Sequence, residues 1–477
     1  MTSRIGHTLG HPRWILVAVL SAWSLSVADF FVVNVALPTI GRSLHAGPAT
    51  LELVVAGYAA AYACGLVTGG RLGDGYGRRR VLLVGMAAFV VTSTACGLAP
   101  SPAFLVAARI LQGLSAALMG PQVLATIQAT FTGAARRRAL GAFGATIGLA
   151  TVAGQLLGAV IVAADLGGLS WRPAFLLNLP VGVGGMILAR RVVPDSREPA
   201  ARRVDGPGAL LLAWAVGALL VPATLGRDEG WPVWCWLVLG TAPVGAVAFG
   251  ASQRRAERRG RTPLLPPSLL RDVGMRRGIG VLVPFFVGAG GFLLTMAVTL
   301  QTGKGFGALR AGFVMMPYAV GFLLASRCVA RLTGRYGNRV IVAGAIGLAL
   351  AFTVLAVQLD RDYAAAGVAA LAPGLLVVGF TQGLVMVPLF GAVLATVEPA
   401  RAGVAGGALA TVQQLGMALG AAVLGTLLFS VAAGHGWRSA TVAVFAVEAI
   451  LAAATAAAAG RLPGAIPSGS GGRRVSG

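Results

Sequence analysis

The stretch Gly69–Arg80, GGRLGDGYGRRR, interrupts a sequence that on both sides is mostly alanine, valine and leucine. It sets five glycines, one carboxylate and four arginines side by side. Three readings fit such a run: a glycine-rich loop that cradles phosphates, an arginine patch for nucleic acid, or a tight turn between two membrane helices. The phosphate loop needs a strand before the glycines and a helix after them within a soluble βαβ unit. The surrounding chain therefore decides among them.

Of the 477 residues, 57% are hydrophobic and 11% charged, and the mean hydropathy is +0.82; a soluble globular chain carries roughly a quarter charged residues. Apolar stretches of about 20 residues recur from Trp14 to Gly460, each long enough to cross a hydrocarbon core of about 30 Å. A membrane barrel would show segments of about ten residues with alternating polarity. The sequence thus predicts an all-α polytopic membrane protein, and fourteen spans can be counted along it.

The formal charge of +23 would suggest a nucleic-acid partner in a soluble chain. Here the distribution of basic residues argues otherwise. With the N-terminus inside, 29 of the 38 fall in loops or tails on that side and seven on the other, leaving Arg71 and Arg109 in or at the ends of spans. This is the positive-inside pattern of a chain with an even number of spans and both termini cytoplasmic. No nucleic acid is expected as a partner; the lipid bilayer is. Cys64, Cys96, Cys235 and Cys328 lie in different spans without a CxxC or a nearby histidine, which predicts buried small hydrophobes and no metal site.

Two longer arginine-rich stretches, after the sixth and eighth spans, divide the helices as 6 + 2 + 6. The expected organisation is a six-helix half over 1–193, two inserted helices with basic linkers over 194–277, a second six-helix half over 278–460 and a disordered cytoplasmic tail over 461–477. An internal repeat supports two halves. ARLTGRYGNRV, Ala330–Val340, follows the tenth span as the opening stretch follows the second, matching at Arg71/Arg331, Leu72/Leu332, Tyr76/Tyr336, Gly77/Gly337 and Arg79/Arg339. Asp74 has Gly334 at its matched position, so the turn occurs twice and its carboxylate once.

Charged groups within spans cost several kcal/mol and mark functional candidates. Asp29 in the first span, Arg109 in the fourth and Glu448 in the fourteenth are such groups; Glu52 is set aside as too near a span end. Asp29 and Arg109 both lie roughly 10–12 Å from the outer surface by helix rise, so they can meet, either as a static ion pair or as a titrating one. Glu448 either sits protonated in a cavity, where it attracts cationic substrates, or hydrogen-bonds a neighbouring helix. Polar residues in spans must face a helix or a water-filled cavity. Asn34, Gln112, Gln155, Asn178, Gln301, Gln413 and Gln414 are therefore candidates to line a largely apolar cavity suited to amphiphilic molecules. In the fifth span Gly144, Gly148, Gly154 and Gly158 form GxxxG pairs, as do Gly416 and Gly420 in the thirteenth, spacings that let helices approach closely.

With these residues in hand, the chain resembles the major facilitator superfamily and, within it, the fourteen-span drug:proton antiporters. GRLGDGYGRRR resembles the superfamily's loop between its second and third helices. RILQG, Arg109–Gly113, is similar to the proton-linked motif of the fourth helix, and ADFFVVNVALP, Ala28–Pro38, to the first-helix motif of the fourteen-span subgroup. SWRPAFLLNLPVG (Ser170–Gly182), GRDEGWP (Gly226–Pro232), LQTGKGFGALRAG (Leu300–Gly312) and RAGVAGGALATVQQLG (Arg401–Gly416) extend the likeness over nearly the whole chain.

The resemblance implies that Gly70, Asp74, Gly77 and Arg78 belong to a cytoplasmic gate, that Asp29 and Arg109 belong to the proton pathway, and that Gly148, Gly154 and Gly158 stand in the antiporter-type motif of the fifth helix. The sequence departs from the family at Gln155, where that motif has a proline, at Ala159, where it has a glycine, and at Gly75, where the loop usually has a basic residue. The expected protein is a monomeric exporter of small amphiphilic drugs in the bacterial cytoplasmic membrane, driven by the proton gradient and using neither ATP nor another cofactor. It is not expected to be an enzyme. An importer or uniporter of a small metabolite, and a non-transporting receptor or scaffold, are the alternatives.

Overall fold

A computed structural model of the chain describes residues 12–195, 205–261, 263–363, 367–394, 397 and 402–462. Of the expected C-terminal tail, 463–477 lie outside the described residues, as do 196–204 of the first arginine-rich linker and Arg401. Among the described residues all regular structure is helical. The helices are α1 (Pro12–Leu44), α2 (Pro48–Tyr76), α3 (Arg78–Gly97), α4 (Pro102–Thr130), α5 (Gly133–Ala164), α6 (Arg172–Leu176), α7 (Asn178–Val192) and α8 (Gly206–Asp228). They continue as α9 (Val233–Arg258), α10 (Pro267–Arg271), α11 (Val273–Val298), α12 (Ala308–Tyr336), α13 (Arg339–Asp362), α14 (Val368–Leu394) and α15 (Ala402–Ala459).

Sequence signals set the ends of several helices. Pro48 and Pro102 open α2 and α4 at positions whose N–H has no helical partner. Ser101 caps α4 by accepting from the Phe104 N–H at 3.3 Å, and Asp272 caps α11 by accepting from that of Met275 at 2.9 Å. Between α2 and α3 the chain turns at Gly77, with φ 104°, its N–H donating to Gly73 O at 3.0 Å. The same closure recurs between α12 and α13, where Gly337 has φ 58° and its N–H donates to Thr333 O at 2.8 Å. A positive φ explains why both copies of the repeat keep glycine here.

Among the described residues twelve helical segments are long and apolar enough to cross a membrane, α6 and α7 together forming one of them. The expected count of fourteen differs at two places. In α5 the apolar stretch is the shorter Leu149–Ala164. The 58 residues of α15 run through a break at Gly436, with φ 79° and ψ 167°. Cys328 also departs from expectation: it is exposed on α12, while Cys96 and Cys235 are buried.

Helices α1–α7 pack mainly on one another, as do α11–α15, and α8 packs on α9, α2 and α15. One apolar core fills the second group around Phe292, Phe352 and Phe445, and another fills the first around Phe89, Met86 and Leu82. A third joins the groups, with Leu37, Leu51, Val54 and Val55 meeting Leu294, Val298, Leu424 and Leu428. That joint lies where α1 ends and α2 begins, opposite the arginine-rich loops, so the groups are sealed together at that end.

Candidate functional site

Helices α1, α4 and α7 of the first group meet at one carboxylate. Asp29 of α1 accepts from Arg109 Nη1 of α4 at Oδ2 (2.6 Å), and at Oδ1 from Gln112 Nε2 (3.0 Å) and Asn178 Nδ2 (2.8 Å). Arg109 also donates to Gln112 Oε1 at 2.7 Å and to the Val54 carbonyl of α2 at 3.1 Å. Asn178 reaches Ser93 Oγ of α3 at 2.9 Å, and Ser93 donates to Phe175 O at 2.8 Å. The guanidinium carbon lies 4.2 Å from the centre of the Tyr58 ring.

Asp29, Arg109 and Gln112 are at most 2% exposed, so the pair stands in a setting where desolvation is costly and every polar contact counts. Gln112 lies one helical turn after Arg109, which lets both address the same carboxylate. Chemically the cluster is a charge pair with neutral hydrogen-bonding partners on each side. Protonation of Asp29 would remove one of the two charges and leave Arg109 to Gln112, Val54 O and Tyr58.

Glycines bring the helices close enough for this. A Cβ on Gly154 of α5 would stand 2.6 Å from the Ala28 carbonyl oxygen, and one on Gly158 would stand 3.1 Å from Val32 Cα. The GxxxG seam therefore runs along α1 beside Asp29. Gly148 lies earlier in the same helix.

Next to this seam, a cavity of about 20 Å³ lies between the two groups. Phe31, Asn34 and Val35 of α1 and Gln155 of α5 face Leu293, Ala297, Leu300, Gln301, Ala311, Gly312 and Met315 across it. Gln301 stands on a π-helical turn, Thr299–Gly303, that ends α11, and donates to Val35 O at 2.8 Å, bridging the groups. Such turns re-aim side chains out of the α-helical register. A larger groove between α12 and α14, lined by Leu309, Phe313, Met316 and Leu376 among others, opens outward from the bundle with an apolar lining suited to lipid.

The remaining sequence candidates are placed as follows. Of the seven residues expected to line a cavity, Asn34, Gln155 and Gln301 do so, while Gln112 and Asn178 instead hold Asp29. Gln413 and Gln414 are half-buried on α15 outside the cavity lining. Polarity within a span demands a partner, and for Gln112 and Asn178 the carboxylate meets that demand. Asp74 pairs with Arg78 at 3.1 Å, and Arg78 also reaches Ala125 O of α4 at 3.4 Å. Gly70 makes only ordinary contact with Pro121. The close approach of α2 to α4 occurs at Gly69 and Gly73, against Ala117 and Gln122. Glu448 is buried against Gly288 of α11, and its Oε1 has no partner.

Sequence reasoning missed Ser93 and Tyr58, which carry no charge to mark them. It also set aside Glu52, which is fully buried where α2 meets α15. Thr426 lies 3.3 Å from its Oε2 and donates to Ala223 O of α8 at 2.8 Å.

Known proteins share this architecture. The solved human organic anion transporter superposes with a TM-score of 0.62 at 16% identity, over 94% of this chain and 100% of that one. A bacterial homologue of the human drug peptide transporters gives 0.65 at 15% identity, over 94% and 96%. The sequence profile of the Major Facilitator Superfamily matches residues 19–421. The chain belongs to the Major Facilitator Superfamily. As a member it is a multi-pass membrane transporter and not an enzyme. Within the superfamily it is 37% identical to the "Probable actinorhodin transporter" of Streptomyces coelicolor, over 87% of this chain and 72% of that protein. It is 36% identical to the multidrug resistance protein Stp of Mycobacterium tuberculosis, over 87% and 74%. The cephamycin export protein of Amycolatopsis lactamdurans is 36% identical, over 88% and 85%.

Proposed function

We propose that the chain is a proton-driven exporter of small amphiphilic compounds, antibiotics among them, acting in the bacterial cytoplasmic membrane. The observation that carries this reading is the buried Asp29–Arg109 pair, set beside a cavity at the boundary between two helix groups. The names of the related export and resistance proteins support the same direction of transport and the same class of cargo.

In this reading the chain has fourteen spans and belongs with the fourteen-span drug:proton antiporters. Two physical arguments support the count. A straight helix of 58 residues would be about 87 Å long, nearly three times the hydrocarbon thickness; in this reading α15 folds back at the Gly436 break and crosses twice. Helix α5, with 32 residues, is long enough to cross when its whole length is used. The halves are then 1–193 and 278–460, with 194–277 inserted, both termini cytoplasmic, and the chain a monomer.

Alternating access would proceed as the halves rock about the cavity, opening the sealed end. Protonation of Asp29 from outside weakens its hold on Arg109 and accompanies substrate release, and loss of the proton to the cytoplasm restores the pair and favours rebinding. Glu448, also buried, is a second group that carries a proton. The energy source is the proton gradient, without ATP; the membrane potential contributes about 2.3 kcal/mol per charge per 100 mV. Everted vesicles from cells making the protein test the reading. Respiration should drive ethidium into them, and collapse of the gradient with nigericin and valinomycin should abolish uptake. Uptake that survives the collapse, or that requires ATP, contradicts it.

A further inference from the structure

The cavity between the groups presents one kind of hydrogen-bonding group. Asn34 Oδ1, Gln155 Oε1 and Gln301 Oε1 are buried carbonyl oxygens without a partner, on residues no more than 5% exposed that line the same space. In two of the three the orientation is set by the amide's other end. Asn34 Nδ2 donates to Phe30 O at 2.7 Å and Gln301 Nε2 to Val35 O at 2.8 Å. Turning either amide over would set its oxygen against a backbone carbonyl, so the acceptor end is the one left free. Nearby Asp29 already accepts from Arg109, Gln112 and Asn178.

We infer that this cavity selects amphiphiles that carry neutral hydrogen-bond donors, hydroxyl or N–H groups, on an apolar body. This rests on the exporter reading and names its substrate class. Three acceptors converge from both groups: two from α1 and α5, and one from the π-helical turn after α11. A donor-bearing molecule meets all three, while its methylated counterpart leaves them buried and unpaired, the situation that gives a site its strongest discrimination. The walls of Phe31, Leu293, Leu300 and Met315 accept the apolar body. At about 20 Å³ the space holds roughly one water, so the ligand enters as the groups part.

The test compares 2,6-dihydroxyanthraquinone with 2,6-dimethoxyanthraquinone, binding to the purified full chain in nanodiscs at pH 6 and read by quenching of its tryptophans. The dihydroxy compound should bind at least about tenfold more tightly. In Gln155→Leu that ratio should fall toward one, and Gln155→Glu, which keeps an acceptor, should retain it; elution as a monodisperse particle and an unchanged melting temperature show that each variant is folded. Equal affinity for the two compounds in the unaltered protein, no binding of either, or a full preference in folded Gln155→Leu overturns the inference. Ethidium export in everted vesicles is scored separately. Export without donor preference sinks the inference alone, and donor preference without export sinks the exporter reading alone.

Discussion

Arg109 Nη1 stands 2.6 Å from Asp29 Oδ2, each side chain 1% exposed, in the middle of a membrane protein's first helix group. A buried pair of this kind is weak evidence for net stability, because desolvating two charges offsets much of their attraction, but removing one partner strands the other. Arg109→Gln should therefore lower the unfolding free energy in detergent by about 3–5 kcal/mol. The double change Asp29→Asn/Arg109→Gln should be milder than Arg109→Gln alone, a non-additivity that a thermal-unfolding cycle would read directly.

The α1–α5 seam admits no side chain at Gly154, where a Cβ would stand 2.6 Å from the Ala28 carbonyl oxygen. Gly154→Ala should cost about 1–3 kcal/mol of stability as α5 is pushed away. Because Ala28 adjoins Asp29, transport rate should fall as well, measured as drug efflux from cells at matched expression.

Asp74 and Arg78 form an ion pair that is 36% and 22% exposed, a class worth about 0–1 kcal/mol. Asp74→Asn should leave the melting temperature within that margin and still slow transport, if the carboxylate belongs to the cytoplasmic gate that the family resemblance implies. An unaltered rate and unaltered accessibility of single-cysteine reporters on the two faces would reduce the stretch to a turn.

Thr426 links α15 to Ala223 O and to Glu52 at the sealed end. Thr426→Val keeps the shape and removes the hydroxyl, so it should destabilise the protein by about 0.5–1.5 kcal/mol. It should also increase labelling of cysteines placed along the outer end of α2.

The apolar helices, the repeated glycine turn and the meeting of Asp29 with Arg109 were legible in the sequence because hydropathy, spacing and helix rise encode them locally. Gln112 and Asn178 were read as cavity residues because polarity within a span announces that a partner is needed without saying which. Glu52 escaped for the opposite reason: its distance from a span end suggests water, whereas α15 covers it. Gly70 points about 100° away from Gly69 on the helix, and only the position of α4 decides that Gly69 and not Gly70 meets it closely. The break at Gly436 falls within GHGWR, Gly434–Arg438, which interrupts the apolar run between the last two counted spans, so this turn too was legible.

The central claim is that Asp29 carries the coupled proton. In proteoliposomes holding the purified protein and an internal pH dye, an imposed ethidium gradient should drive proton movement in the opposite direction. Asp29→Asn should abolish that proton movement while ethidium still binds. Proton movement at the normal rate in Asp29→Asn would contradict the account.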